Sequence, residues 1–281
     1  MPEPKVLLTG LAIGESPRWH DGRLWFSNWG MQEIVAADLH GNREVMVRVP
    51  TTIPFCIDWL PDGRLLVVSG PEALLLRQEP DGSLVTHADL SGFAEGFNEI
   101  VADAHGNAYV NGGSFDFETG EGLESGVVVL VAHDGVVRRV AEDINFGNGM
   151  AISPDGSTLI VAESWAMRLT AFDVASDGSL SNRRVWADTD GPPDGICMDS
   201  EGAVWYADVP NKGCVRVREG GEVLQKVDLD RGAFACMLGG TDGKTLFMLA
   251  AEWGGFEGMG DSARTGQVLV VEAPAAHVGR P

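Results

Sequence analysis

The feature that most constrains this chain is a short pattern that recurs six times: a polar or acidic residue, a glycine, a brief spacer, then an apolar run suited to a strand. The copies run through His20-Asp21-Gly22, Pro61-Asp62-Gly63, Ala104-His105-Gly106, Pro154-Asp155-Gly156, Ser200-Glu201-Gly202 and Thr241-Asp242-Gly243. Their glycines are separated by 41, 43, 50, 46 and 41 residues, a period that suits one four-stranded propeller blade. Each turn of this kind joins two strands. A second set of hairpin signals falls between the copies, at Asp81-Gly82, Asp134-Gly135, Asp177-Gly178 and Gly220-Gly221. Two hairpins per period predict four strands per blade. Apolar stretches are short and rich in Val, Leu and aromatic residues, with no helical periodicity. The expectation is therefore an all-β chain, a six-bladed β-propeller with four antiparallel strands per blade, forming one domain over residues 1–281. An irregular β-sandwich is the alternative. Residues 6–8 and 267–271 are apolar and suited to closing the ring by sharing one blade between the two ends.

Composition agrees with many tight turns. The 37 glycines fall beside Asp, Asn or Ser rather than in one tract, and 44% hydrophobic with 22% charged residues allow a sizeable core. Twenty basic against 41 acidic residues give a net charge of -21, which repels a phosphate backbone and excludes nucleic acid and anionic membrane as expected partners. No apolar run approaches the roughly 20 residues of a membrane span, and residues 1–10 lack a signal layout. A cytoplasmic location is expected. Cys56, Cys197, Cys214 and Cys236 form no C-x-x-C pair and read as free thiols.

The apolar segment before each repeat turn is expected to be the innermost strand of its blade. Counting back six or seven positions from the residue before each repeat glycine gives Glu15, Cys56, Asn98, Asn148, Asp194 and Cys236. In a radial fold these positions converge on the axis, and four of them carry oxygen donors. Taken singly, Asn and Asp beside glycine are turn formers; four in register predict a ring of carboxylate and amide oxygens. Such hard ligands suit one divalent cation, Ca2+ foremost, with Mg2+, Mn2+, Zn2+ and Fe2+ as alternatives. Cys56 and Cys236 flank Glu15 and read as small wall residues rather than nucleophiles, because no His stands at a matching position to activate a thiolate. The six histidines show no zinc spacing. Trp29, Trp165 and Trp253 follow second strands and are expected to wall a pocket, whereas Trp25 and Trp205 belong to the repeat and the core. Asp103, Asp116, Glu118, Glu121 and Glu124 form an acidic stretch read as a solvated loop or a lid.

The stretches Gly14-Glu15-Ser16-Pro17-Arg18-Trp19, Asn148-Gly149-Met150-Ala151-Ile152-Ser153-Pro154-Asp155-Gly156 and Pro193-Asp194-Gly195 give the chain, over nearly all its length, a resemblance to the gluconolactonase and senescence marker protein (regucalcin) family. The resemblance implies a six-bladed propeller whose single divalent ion is held by Glu15, Asn148 and Asp194, with Asp194 also the base and Asn98 contacting substrate or metal. Sugar-lactone members of the family carry an Arg two residues before this last Asn and an Asp after it, where this chain has Gly96-Phe97-Asn98-Glu99. That departure, with Phe97, Phe115, Phe117, Trp165, Cys56 and Cys236, points to a less polar pocket for an aromatic or alkyl lactone or another ester, and Phe97, Glu99, Trp165, Cys56 and Cys236 are further candidate substrate contacts. The implied function is lactone hydrolysis by metal-activated water on a small-molecule substrate, by a monomer or small homo-oligomer. The alternatives are another metal-dependent esterase or phosphotriesterase, a non-catalytic calcium-binding propeller, and a metal-free propeller of the strictosidine synthase type.

Overall fold

A computed structural model describes residues 3–114, 126–255 and 263–279. It contains 24 strands, β1 to β24, in six four-stranded antiparallel sheets. Blade 1 runs outward from the axis as β2 (Ile13–His20), β3 (Arg23–Trp29), β4 (Glu33–Ala37) and β5 (Arg43–Arg48). Blade 2 is β6 (Phe55–Trp59), β7 (Leu65–Ser69), β8 (Leu74–Gln78) and β9 (Leu84–Asp89). Blade 3 is β10 (Gly96–Ala102), β11 (Ala108–Gly113), β12 (Gly126–Val131) and β13 (Val137–Ile144). Blade 4 is β14 (Gly147–Ile152), β15 (Thr158–Glu163), β16 (Arg168–Val174) and β17 (Leu180–Asp188). Blade 5 is β18 (Pro193–Met198), β19 (Val204–Asp208), β20 (Gly213–Val217) and β21 (Val223–Asp228). Blade 6 combines β22 (Gly232–Gly239), β23 (Thr245–Ala251) and β24 (Gly266–Glu272) with β1 (Lys5–Leu11). The innermost strands β2, β6, β10, β14, β18 and β22 touch their neighbours in a closed ring.

The repeat is explained by turn chemistry. All six repeat glycines have φ between 71° and 86°, the left-handed region that side chains with a Cβ avoid. The aspartates supply the other half of the turn: Oδ1 of Asp62, Asp155 and Asp242 accepts the backbone N–H two residues on, at 3.1, 3.0 and 2.9 Å. In blades 3 and 5 the same bond comes from Asp103 and Asp199, placed earlier in the turn, which leaves His105 and Glu201 free to occupy the usual aspartate position. Asp103 is thus a turn former. Asp116, Glu118, Glu121 and Glu124, together with Phe115 and Phe117, lie outside the described residues.

Middle strands are buried on both faces because each blade is sandwiched between two others; β4, β7 and β19 expose no residue, whereas β5 at the rim is almost wholly exposed. Trp205 is fully buried, as expected of a core residue, while Trp25 is only partly covered and packs edge-on to Trp59. Ring closure takes the anticipated form, β1 pairing antiparallel with β24 through Val6 opposite Leu269 and Leu8 opposite Val268. Among the described residues no helix is long and apolar enough to cross a membrane.

Closure through β1 makes a stability prediction. Leu11 is fully buried in the core shared by blades 1, 5 and 6, while Val6 on the same strand is 52% exposed. Leu11→Ala is expected to cost about 2–5 kcal/mol in urea unfolding, and Val6→Ala under about 1 kcal/mol. Equal small losses from both would mean that β1 does not hold the ring.

Candidate active site and metal centre

The ladders between first and second strands break register at one level of the channel in five blades: at Glu15/Arg18 in β2, Phe97/Ile100 in β10, Gly147/Met150 in β14, Pro193/Ile196 in β18 and Ala233/Ala235 in β22. A bulge re-aims the residue it contains. Asn98, Asn148, Asp194 and Phe234 lie within these breaks and Glu15 immediately before one, and all five line one cavity of about 360 Å³. Only β6 pairs regularly, with Cys56 opposite Val68.

Two positions differ from the expected ring. Cys56 is buried off the cavity, next to Ser16 and Glu99. Cys236 is not at the channel mouth either; its thiol packs 3.6 Å from the carbonyls of Gly195 and Trp205, beside Cys197 and Cys214. Phe234, two residues earlier, takes the place facing the cavity, because β22 runs five residues beyond it to Gly239 where β10, β14 and β18 run four beyond Asn98, Asn148 and Asp194. A local signal was present: Phe234 stands between Ala233 and Ala235 as Asn148 stands between two glycines and Asp194 between Pro193 and Gly195. Small flanking residues are needed there. A Cβ on Gly149 would come 2.4 Å from the Ile196 nitrogen, and one on Gly195 would come 2.5 Å from the Ala235 Cβ. The Asn-Gly and Asp-Gly pairs of the site therefore serve close approach of neighbouring blades rather than turns.

The polar floor is braced from below. Asn98 donates from Nδ2 to the Gly147 carbonyl at 3.2 Å. Asn111, fully buried on β11, donates to the Asn148 carbonyl at 2.6 Å and accepts from the Glu99 backbone N–H at 3.2 Å, so one side chain fixes two inner strands. Ser16, at φ 50°, donates to Glu99 at 3.0 Å and accepts from the Ile57 N–H at 3.0 Å. Arg18 lies 3.2 Å from Glu99 and 3.7 Å from Asp58. Glu99 is thus a buried partner of Ser16 and Arg18 beneath the floor, and Phe97 is buried against the neighbouring cavity rather than this one.

The electrostatics are those of an incompletely balanced site. Burial pushes the Glu15 carboxyl well above its usual range, and the negative charges of Asp194 and Glu99 push it further. Asp194 is raised well above its range by burial and by the charges of Glu99 and Asp208, although its carboxylate accepts from the Asn148 side chain and the Gly195 backbone. Its Oδ1 is buried without any hydrogen-bond partner, an arrangement that costs free energy unless something positive meets it. No Lys, Arg or His lines the cavity among the described residues, and Arg18 is committed to two other acids. Among the described residues no three His, Cys, Asp or Glu side chains converge as a metal site; the donor set here is two carboxylates and amide oxygens. That set fits a hard divalent cation, whose charge would offset the two raised carboxylates.

Above the floor the walls are apolar. Trp29, Trp165 and Trp253 all line the cavity, as their positions after second strands suggested, joined by Phe146, Met167 and Val209. Trp165 packs edge-on to Phe146 and Trp253 to Phe234, with centroids 6.1 and 5.6 Å apart.

A cavity with apolar walls and a few convergent polar groups is the general form of a ligand pocket. Residues 13–252 match the model of the SMP-30/Gluconolactonase/LRE-like region, and the chain belongs to that family. It is 25% identical to regucalcin of Xenopus laevis over 85% of this chain and 83% of that protein. It is also 25% identical to a pentonolactonase of Haloferax volcanii over 99% of this chain and 96% of that protein. A solved luciferin-regenerating enzyme superposes with a TM-score of 0.82 at 20% identity, covering 98% of this chain and 97% of that one.

The raised carboxyls give a signed prediction. Stability they contribute is fully present below their unfolded pKa of about 4 and is lost as pH rises through the higher folded values. In EDTA, Glu15→Gln is therefore expected to melt above the parent at pH 8, with the advantage shrinking towards pH 5. Excess Ca2+ should raise the parent by about 2.7 kcal/mol at a hundred times the Kd, and the variant by much less. Equal response of both proteins to Ca2+ would place the cation elsewhere.

Proposed function

We propose that this protein hydrolyses a small lactone with the help of a divalent cation held by Glu15, Asn148 and Asp194, Ca2+ foremost. The observation that carries the reading is the buried, unpartnered Oδ1 of Asp194 on the acid and amide floor of an otherwise apolar cavity. Membership in a family whose relatives include a pentonolactonase supports the lactone as substrate.

Bound there, the cation supplies positive charge that offsets the negative charge developing on the ester carbonyl oxygen. Asp194 accepts a proton from the attacking water as the water oxygen bonds to the carbonyl carbon. Breaking the ring C–O bond then returns that proton to the leaving alkoxide, and the product is a hydroxy acid. Asn98, held by its bond to Gly147, orients the ring, and the Trp29, Trp165 and Trp253 walls exclude bulk water, which strengthens the electrostatic interactions inside. Asn111 and Ser16 hold the strands that carry these groups.

Asp194→Asn is expected to lower kcat/KM on lactones by about 10²–10⁴-fold, and EDTA to abolish turnover until a divalent ion is returned. The decisive measurement is a panel of lactones, acyclic esters and a phosphotriester, each assayed with several divalent ions. Full turnover by protein free of metal in elemental analysis would defeat the proposal, and turnover confined to the phosphotriester would replace the lactone.

A further inference from the structure

A second cavity of about 270 Å³ adjoins the first, sharing Asn98 and Phe146 with it. Its walls include six glycines, Gly70, Gly96, Gly112, Gly113, Gly126 and Gly147. Most of those near the backbone of a neighbour have a packing reason. A Cβ on Gly70 would lie 2.2 Å from the Phe97 carbonyl, one on Gly112 2.3 Å from the Gly96 carbonyl, and one on Gly126 2.6 Å from the Gly112 carbonyl. Gly96 has no such reason. A Cβ there would meet nothing closer than 3.8 Å, and Gly96 is absent from the positive-φ positions. Any larger residue would project into the cavity, so the bare backbone at 96 is what leaves that space open.

The chemistry of this space differs from that of the floor. Among the described residues its side chains are those of Ile53, Pro54, Pro71, Phe97 and Phe146, with Asn98 at the junction and exposed Glu95 as the one charged residue. The Gly70 carbonyl already accepts from Phe97 and Ala73. Hydroxyl groups placed here would lose water and find few partners, whereas hydrocarbon would gain. Cavities of about 300–1,000 Å³ hold ligands much larger than a bare five- or six-membered ring, and the two spaces meet at Asn98, the floor residue nearest the junction.

We propose that the substrate is a lactone bearing an apolar arm, an alkyl chain or small aryl group, with the ring on the floor between Glu15 and Asp194 and the arm in the glycine-walled cavity, and that Gly96 sets this specificity. The proposal rests on the lactonase reading above. A lactone without hydroxyl groups on its arm is favoured, and a polyhydroxylated one disfavoured, by the same walls.

The test is a series of δ-lactones carrying no substituent, propyl, pentyl and heptyl, assayed on the parent, Gly96→Ala and Gly96→Leu. In the parent kcat/KM is expected to rise about three- to fourfold per added methylene until the cavity is full. The heptyl-to-unsubstituted ratio of kcat/KM should fall at least tenfold in Gly96→Leu and less in Gly96→Ala, with circular dichroism showing both variants folded. Should Gly96→Leu not fold, the chain-length series on the parent and the Gly96→Ala ratio still decide. A heptyl lactam, which resists hydrolysis, is titrated in parallel against tryptophan fluorescence. Lactone turnover that ignores chain length overturns the arm site and leaves the lactonase reading standing. Lactam binding that weakens in Gly96→Leu, with no lactone hydrolysed, supports the arm site and removes the lactonase reading. Neither turnover nor lactam binding overturns both.

Discussion

Six inner strands can share one axis only if their backbones approach within van der Waals contact, and everything at the site follows from that steric demand. Gly149 and Gly195 are the places where it is sharpest, because a single methyl on either would strike the next blade. The tight approach leaves no room for a regular ladder to turn all its side chains outward. Five of the six inner strands bulge at the same level, and a residue in the bulge in blades 3 to 6, or just before it in blade 1, faces the cavity. Convergence and bulging are thus one event: the closeness that packs the blades also gathers Glu15, Asn98, Asn148 and Asp194.

Gathering acids in a buried channel has an electrostatic cost that the fold only partly offsets. Arg18 answers Glu99 and Asp58 in the lower channel, and Ser16 adds a hydrogen bond to Glu99. Nothing comparable faces the Glu15 and Asp194 carboxyls among the cavity-lining residues. The channel is therefore divided: its lower part balances its own charge, and its upper part does not. A cation-dependent reading of the upper part and a purely structural reading of the lower part follow from the same charges.

The blade architecture was legible because it is written in local chemistry. An Asp that accepts the N–H two residues on and a glycine at positive φ need no knowledge of distant parts of the chain, so the six turns could be read directly, and the closure of residues 6–8 on 267–271 was suggested by the apolar character of both stretches. The four oxygen donors were also reachable, since strand length from turn to channel mouth varies little in blades 1, 3, 4 and 5. The same count failed in blade 6, where β22 is one residue longer between turn and mouth than β10, β14 and β18 and puts Phe234 rather than Cys236 there, and gave Cys56 a place its unbulged strand denies it. Long-range pairings were out of reach. Nothing local tells that Arg18 meets Glu99, 81 residues away, or that Asn111 on a second strand secures both β10 and β14.

The pairing of β1 with β24 also sets an order of events during synthesis. Strand β1 leaves the ribosome about 260 residues ahead of its partner β24, and at about 5–20 residues per second it waits on the order of ten to fifty seconds for that partner to emerge. During that interval blades 1 to 5 can form, each from contiguous chain, while the apolar side of β1, with Leu8 and Leu11, has no blade to cover it. Lys5 and Thr9 are the exposed polar residues of that waiting strand, and a charge such as Lys5 on an unpaired edge limits its pairing with other chains.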